Sequence, residues 1–262
     1  MDRRPAVTFD LWHTLVHLRP AAETEYLHRQ FDAATRVLAG SALAPGAVPV
    51  GERELRDAFE REVRRAVALS HEGQTVTPAE QLARAANATG RVARPDAYLD
   101  ELDRLIRETE FIPAPGALEV LGRLRDEGYR VGIISNTVGE PGRFLRGALG
   151  GLGFDGLVER YTFSDEEPWA KPSPEIFRAA LDRIGSAPDL AVHVGDGWAD
   201  IEGARRAQLR AAILFTGLHE YAPEYRDLNY APSFDRDSVP YRTADLREVP
   251  PLIERLLPLP RP

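Results

Sequence analysis

The chain contains no cysteine, and this absence excludes disulfide bonds and thiolate-based metal or catalytic sites. It also lacks any apolar stretch long enough to span a bilayer, and its first residues lead into a strand-like run without the apolar region of a signal peptide. Basic residues do not predominate, because 41 acidic residues against 33 basic ones give a net charge of −8. This balance argues against binding to nucleic acid or to an anionic membrane. We therefore expect a cytoplasmic protein that acts on a small molecule, with no nucleic-acid or membrane partner.

What the chain does contain is three short apolar runs, each followed directly by polar residues suited to chemistry. The runs are Ala6–Phe9, Val131–Ile134 and Ala191–Val194. Asp10 follows the first run, Ser135 the second, and the pair Gly195-Asp196 the third. In a parallel α/β sheet the carboxyl ends of the strands meet at one edge, where ligands bind. The sequence thus predicts that these side chains come together in one site.

The residue types at these positions form a coherent set for handling a phosphate group. Asp10 offers a carboxylate nucleophile, and Ser135 offers a hydrogen-bond donor to a phosphate oxygen. Lys171, which is followed by Pro172, offers a cationic clamp. Asp196 and Asp200 together offer hard oxygen ligands for a divalent cation.

These motifs resemble those of the haloacid dehalogenase-like hydrolase superfamily, and the resemblance covers most of the chain. The first family motif, a strand ending in Asp-x-Asp-x-Thr, corresponds to Asp10-Leu11-Trp12-His13-Thr14, with tryptophan in place of the second aspartate. The later motifs correspond to Ser135, to Lys171, and to Gly195-Asp196 with Asp200. Each match alone is weak, but four matches in the right order, each beside its expected element, are specific.

The resemblance implies an α/β fold, a doubly wound parallel sheet (a Rossmann-like core) with an inserted all-helical cap domain. The periodicity of the chain points the same way, because the segments between the first motif and Phe111 have helical spacing and none alternates like a strand. Those segments are 21–39, 52–70, 78–90 and 94–110. We expect a core of residues 1–16 and 111–262 and a cap of residues 17–110.

After residue 111 helical and strand-like segments alternate, which favours a parallel sheet wound on both faces. The expected strands are 129–134, 157–163, 190–194 and 210–215. The expected helices are 116–127, 141–150, 174–185, 199–208 and 247–257. Residues 217–238 form a long irregular stretch with Tyr221, Tyr225 and Tyr230, and a loop of that length is usually functional or mobile.

By resemblance, Asp10 attacks phosphorus and forms an aspartyl-phosphate that water then cleaves. Mg²⁺ is the implied cofactor, bound by Asp10 and Asp196, with Asp200 near the metal directly or through water. The backbone carbonyl of Trp12 fills a further position, which does not depend on the side chain. The alternative for Asp196 and Asp200 is capping of the helix that follows them, and both roles are compatible.

The other catalytic and substrate-binding residues are also implied by the resemblance. Ser135, with Asn136 beside it, would hold phosphate oxygens, and Lys171 would pair with both the nucleophile and the transferring group. Thr14 is expected to support Asp10 by hydrogen bonding. Outside this context, a serine and asparagine after a strand form an ordinary turn, and Lys-Pro an ordinary surface loop.

Trp12 is the departure from the family pattern. In the phosphatases of the family the aspartate at this place is the general acid and base, and tryptophan cannot transfer protons. Three consequences stay open: a substrate whose leaving group needs no protonation, another proton donor with His13 the nearest titratable candidate, or a catalytically weakened phosphate-binding protein. Trp12 and His13 are therefore candidate substrate-binding residues, Trp12 as part of an aromatic wall formed with Trp169 and Trp198.

A haloalkanoate dehalogenase is a further alternative, because position 12 is aromatic in that branch of the family. Two considerations oppose it. Dehalogenation needs no metal, and an acidic site at Asp196 disfavours a haloacid carboxylate. In addition, the cap segment offers no obvious halide cradle. The sequence leaves the identity of the substrate and the oligomeric state open.

Overall fold

The computed structural model describes residues 3–218 and 234–259. Its centre is a six-stranded parallel sheet with the strand order β5-β4-β1-β6-β7-β8. The strands are β1 (Ala6–Phe9), β4 (Arg130–Ser135), β5 (Arg160–Phe163), β6 (Ala191–Gly195), β7 (Ala211–Phe215) and β8 (Arg242–Thr243). Strands β4 and β5 lie on one side of β1, and β6 to β8 lie on the other, so the direction of strand order reverses beside β1. The crevice at the carboxyl end of β1 is therefore the expected ligand site.

Helices cover both faces of this sheet, as expected of a parallel sheet. They are α5 (Ala117–Glu127), α6 (Gly142–Gly151), α7 (Pro174–Arg183), α8 (Trp198–Arg206) and α9 (Val249–Leu256). One face buries Val7, Phe9, Val131, Ile133 and Val194 against α5, α6 and α9. The other face packs Ile134 against residues of α7 and α8. The doubly wound α/β fold predicted from the sequence is confirmed.

A separate group of helices lies between β1 and β4 in the chain. These are α1 (Pro20–Ala39), α2 (Glu52–His71), α3 (Pro78–Ala88) and α4 (Pro95–Glu108). They share a hydrophobic cluster of their own, which includes Leu27, Phe31, Phe59, Leu82, Tyr98 and Leu102. Helix α3 begins with a capping box, in which Thr77 Oγ1 accepts from Glu80 N at 3.2 Å and Thr77 N donates to Glu80 Oε2 at 2.8 Å.

The chain enters and leaves this helical group through a two-stranded antiparallel ladder of β2 (Val16–His17) and β3 (Ile112–Pro113). The helical group also hydrogen-bonds to the loops of the core. Gln81 Nε2 donates to Val138 O at 2.6 Å, and Ala170 N donates to Gly73 O at 2.9 Å. Helix α3 and the α2–α3 loop are thus anchored close to the carboxyl edge of the sheet.

Some element bounds differ from those predicted. Strand β5 begins at Arg160 rather than at 157, because Leu157 N closes a turn on Phe154 O at 3.1 Å. The short strands β2, β3 and β8 carry too few residues for a period-two pattern, and the sequence did not predict them. Residues 219–233, with Tyr221, Tyr225 and Tyr230, lie outside the described residues. In the part of the chain that is described, no helix is both long and apolar enough to cross a membrane.

Candidate active site

Asp10 begins the loop that follows β1, and the sheet register places it beside the end of β6. Phe9 pairs with Val194, and Asp10 N donates to Val194 O at 2.8 Å. This register brings Asp10 level with the segment that carries Asp196. The Asp10 side chain is buried, with 6% of the residue exposed.

The chain after Asp10 turns back sharply. Leu15 N and Val16 N both donate to Leu11 O, at 2.9 and 3.0 Å. His13 stands at the tip of this turn with a φ of +58°, a left-handed conformation that histidine adopts more readily than bulky or branched residues. The turn explains how β2 returns to pair with β3 only a few residues after β1.

Lys171 reaches the same place from a distant loop, and Asn136 holds that loop. Asn136 Oδ1 accepts from Lys171 N at 2.8 Å, and Asn136 Nδ2 donates to Lys171 O at 2.9 Å. The Lys171 ammonium contacts Asp10 Oδ1 and lies 2.6 Å from Asp200 Oδ1. Both heteroatoms of the Asn136 amide are therefore engaged with the Lys171 backbone, a positioning role that the sequence did not suggest.

Lys171 is the only lysine in the chain, since the other residues of the 33 basic ones are arginine. An ammonium is a compact point charge on a flexible stem, whereas a guanidinium is a broad planar fork. The narrow buried space between two carboxylates suits the ammonium. A single lysine in an arginine-rich chain was therefore a further signal in the sequence that position 171 has a specific role.

Asp196 and Asp200 lie at the end of β6 and in the first turn of α8. Asp200 Oδ2 accepts from Gly197 N at 3.0 Å, so the predicted capping alternative is also present. Gly195 is required at its position, because a Cβ there would collide with the Asp200 carboxylate. Burial by itself would raise the pKa of Asp200, but Lys171 and His193 more than offset it and hold this pKa below its usual range.

The carboxylates of Asp10, Asp196 and Asp200 form one buried cluster, with an oxygen of each within 4.8 Å of the others. Three carboxylates and the Lys171 ammonium leave two negative charges among these four side chains, which a single divalent cation would balance. Burial raises the pKa of Asp10 to about 7, with Asp200 and Asp196 adding to the rise and Lys171 opposing it. A bound cation would reverse this effect, and the donor set consists of the hard oxygens that Mg²⁺ prefers.

Within this cluster the three aspartates differ in what they already bind. Both oxygens of Asp200 accept hydrogen bonds, from Lys171 and Gly197 among others. Arg236 donates to the backbone carbonyl of Asp196. Lys171 thus bridges the carboxylates of Asp10 and Asp200, and Asp200 is held at both of its oxygens.

The chain is similar to proteins of one hydrolase family. The haloacid dehalogenase-like hydrolase family matches residues 5–208. The chain belongs to this family. It is 31% identical to a phosphoglycolate phosphatase of Rhodospirillum rubrum over 214 residues, which cover 81% of this chain and 80% of that protein. It is 35% identical to a glyceraldehyde 3-phosphate phosphatase of Pyrococcus furiosus over 117 residues, which cover 43% of this chain and 47% of that protein. A crystal structure of a phosphatase of the family from Thermococcus onnurineus aligns with a TM-score of 0.64 at 21% identity, over 95% of this chain and 97% of that one.

Two hydroxyls expected in the site of this hydrolase are buried without a hydrogen-bond partner among the described residues, those of Ser135 and Thr14. A buried unpaired hydroxyl costs about 1–3 kcal/mol, and a ligand oxygen would satisfy the one on Ser135. The expected hydrogen bond from Thr14 to Asp10 is not seen. The Thr14 backbone instead joins the turn, with its N–H 3.4 Å from Leu11 O.

Trp12, the departure from the family pattern, packs at the junction between the core and the helical group. Its ring meets Phe111 edge to face at 5.5 Å between centroids, and Phe111 meets Tyr26 of α1 in the same way at 6.0 Å. The rings of Trp198 and His71 meet edge to face with 6.4 Å between centroids, and 38% of the Trp169 surface is exposed. The indole of Trp12 therefore has a packing role in this hydrolase, whatever it adds to substrate binding.

His13, in the loop after β1, contacts the helical group. Its Nε2 lies 2.8 Å from Glu23 Oε1 of α1, and both side chains are buried. Burial by itself would lower the pKa of His13, but Glu23 and Asp196 raise it above its ordinary value. Sequence reasoning missed Glu23, as well as His193, which contacts Asp200. The signal for His193 was a lone polar residue within the apolar run of β6.

Proposed function

We propose that this protein is a Mg²⁺-dependent phosphatase that cleaves a small phosphorylated metabolite through an aspartyl-phosphate on Asp10. The observation that carries the proposal is the buried cluster of Asp10, Asp196 and Asp200 around the single Lys171. Its excess of two negative charges suits a divalent cation. Similar proteins include a phosphoglycolate phosphatase and a glyceraldehyde 3-phosphate phosphatase, and this similarity supports a small phosphorylated metabolite as the substrate.

In this proposal each side chain acts on the phosphate from a fixed place. The bound cation would offset the repulsion between an anionic nucleophile and an anionic phosphate. Asp10 attacks phosphorus and breaks its bond to the ester oxygen, which leaves as the alcohol or its anion, while Lys171 neutralises charge on the nucleophile and the transferring group. The Ser135 hydroxyl, which has no partner among the described residues, donates to a phosphate oxygen. Water then cleaves the acyl phosphate on Asp10 and regenerates the carboxylate.

We also propose the division of the chain into a core of residues 1–16 and 111–262 and a cap of residues 17–110. Support comes from the separate hydrophobic cluster of α1 to α4 and from the β2–β3 ladder at both crossings. The cap would enclose the site and select the substrate. Contacts such as His13 with Glu23 would hold it closed over Asp10.

The absence of an acid at Trp12 shapes the expected substrate preference. Without protonation of the leaving oxygen, esters with good leaving groups, such as aryl or acyl phosphates, should be cleaved far faster than alkyl phosphates. A proton from His13 would remove this preference. Comparing both ester types in the parent, in Trp12→Asp and in His13→Asn separates the two cases. Loss of an indole from a packed site costs about 3–5 kcal/mol, so circular dichroism must accompany Trp12→Asp.

The experiment that tests the proposal is a panel of aryl phosphates, sugar phosphates, nucleotides and 2-haloacids, with Mg²⁺ or with chelator. Asp10→Asn should abolish turnover without unfolding, because a carboxamide has nearly the same shape and is a poor nucleophile. Asp57→Asn, on an exposed position of α2, is the matched control and should stay active. Phosphatase activity that persists in Asp10→Asn, once deamidation is excluded by mass spectrometry, would rule out the covalent route.

A 2-haloacid dehalogenase is the second candidate, favoured only by the aromatic residue at position 12. The cluster of three buried carboxylates argues against it, since it repels the carboxylate of a haloacid. Halide release that is insensitive to chelator, without hydrolysis of any phosphate ester, would favour the dehalogenase.

A further inference from the structure

His193 is a polar side chain inside the sheet, far from solvent. It lies in β6 with 0% exposure, and its ring meets Phe177 of α7 edge to face at 5.0 Å. Both ring nitrogens nevertheless have partners. Nδ1 lies 2.9 Å from Thr8 Oγ1, and Nε2 lies 3.0 Å from Asp200 Oδ1. Thr8 and His193 are direct neighbours in the parallel register of β1 and β6.

The partners determine where the protons lie. A carboxylate such as that of Asp200 only accepts hydrogen bonds, so the Nε2 of His193 must carry a hydrogen. A hydroxyl such as that of Thr8 can donate as well as accept, and Nδ1 is the ring nitrogen left to accept from it once Nε2 carries the hydrogen. The Thr8 hydroxyl is the donor to Nδ1. Thr8 therefore selects the tautomer that donates to Asp200, as second partners of histidine generally do.

The Asp200 carboxylate that His193 holds also binds the Lys171 ammonium. The oxygen that accepts from His193 also accepts from Lys171 Nζ at 2.6 Å, and the other oxygen accepts from Gly197 N at 3.0 Å. The carboxylate is thus fixed by a strand residue, a backbone amide and an ammonium. Since the Lys171 stem is flexible, the position of its ammonium depends on the fixed carboxylate of Asp200 as well as on Asp10.

We infer that Thr8 and His193 are positioning residues, which hold Asp200 so that it places the Lys171 ammonium against the nucleophile Asp10. His193 does no chemistry on the substrate in this arrangement, because it lies within the sheet behind Asp200. A rigid planar ring packed against Phe177 is well suited to hold a carboxylate in one orientation. The consequence for turnover rests on the proposed function, whereas the consequence for Lys171 does not.

The test compares His193→Gln, whose amide nitrogen keeps a donor near the place of Nε2, with His193→Leu, which removes it. Because Lys171 is the only lysine, protein grown with ¹⁵N-lysine gives one side-chain signal from this ammonium. That signal should shift and broaden in His193→Leu and stay close to its parent position in His193→Gln. An unchanged signal in a folded His193→Leu variant would overturn the inference.

The kinetic arm uses para-nitrophenyl phosphate at saturating Mg²⁺. His193→Leu should lower kcat by about 10–100-fold, and His193→Gln should recover a large part of that loss. Equal losses in the two variants, at equal thermal stability, would mean that packing alone matters and would overturn the inference. If the parent protein hydrolyses no phosphate ester, the proposed function fails, and the Lys171 signal still decides on the positioning role.

Thr8→Val serves if the His193 variants do not fold, since valine has nearly the same shape as threonine. In ¹⁵N-histidine-labelled parent protein, His193 should give one donor-type and one acceptor-type ring nitrogen. Thr8→Val should shift the acceptor signal, because it loses its hydroxyl donor, and should also displace the Lys171 signal. A parent spectrum with two donor-type nitrogens, or Thr8→Val spectra identical to those of the parent, would contradict the assigned chain of hydrogen bonds.

Discussion

Glu140 is a buried carboxyl at the contact between the core and α1, and replacing it with glutamine should change how stability depends on pH. The side chain is 4% exposed, and its Oε1 accepts from Gln30 Nε2 of α1 at 2.8 Å. Asp165 and Tyr98 also interact with it electrostatically, and the Tyr26 side chain lowers its pKa by hydrogen bonding. Burial raises the pKa of Glu140 to about 7, Gln30 opposes the rise, and Asp165 adds to it.

The sign and size of the effect follow from this pKa. The folded protein binds the proton of Glu140 more tightly than the unfolded chain does, where the pKa is near 4.5. The stability due to this proton is complete below about pH 4.5 and is lost as the pH rises through 7. The total corresponds to about 3 kcal/mol, most of which falls between pH 5 and pH 8. Glutamine cannot titrate, so Glu140→Gln should lack this loss.

The assay is urea denaturation followed by circular dichroism at pH 5 and at pH 8. The drop in the free energy of unfolding between these pH values should be smaller in Glu140→Gln than in the parent by about 2–3 kcal/mol. Groups that do not interact with Glu140 contribute equally to both proteins, so the difference reports on Glu140 and on its coupling to Asp165. Glu25→Gln, on an exposed position of α1, should behave like the parent. The same drop in Glu140→Gln and in the parent would refute the reasoning.

Three further predictions concern the site itself. Millimolar Mg²⁺ should raise the melting temperature, and Asp196→Asn should remove most of the rise; an equal rise in that variant would place the cation elsewhere. Lys171→Arg should lower kcat on an aryl phosphate by about 100-fold or more, because a planar guanidinium does not fit the buried space between two carboxylates, and full activity would contradict this. Gly195→Ala should lower the free energy of unfolding by about 1–3 kcal/mol, since its Cβ meets the Asp200 carboxylate. Gly197→Ala, whose Cβ would make an ordinary contact at 3.4 Å, is the control, and equal costs would refute the steric explanation.

The sequence by itself determined the class of fold and the order of the motifs along it. Apolar runs such as Ala6–Phe9 and Ala191–Val194 predict buried parallel strands, and the helical spacing of apolar residues between 21 and 110 predicts an inserted helical segment. Both signals are local, because they depend on the burial of neighbouring residues along one element. The rule that parallel strands end at one edge of a sheet then predicted that Asp10 and Asp196 lie close together.

Only the tertiary structure decided which side chains touch and what each one already binds. Asn136 clamps the backbone of Lys171, Glu23 meets His13, and Thr8 orients His193 from a position 185 residues away. No periodicity along the chain encodes such pairs, because they depend on register and on side-chain packing between separate elements. The same is true of ionisation, since the pKa of a carboxyl such as Glu140 depends on burial and on charges that approach it only when the chain is folded.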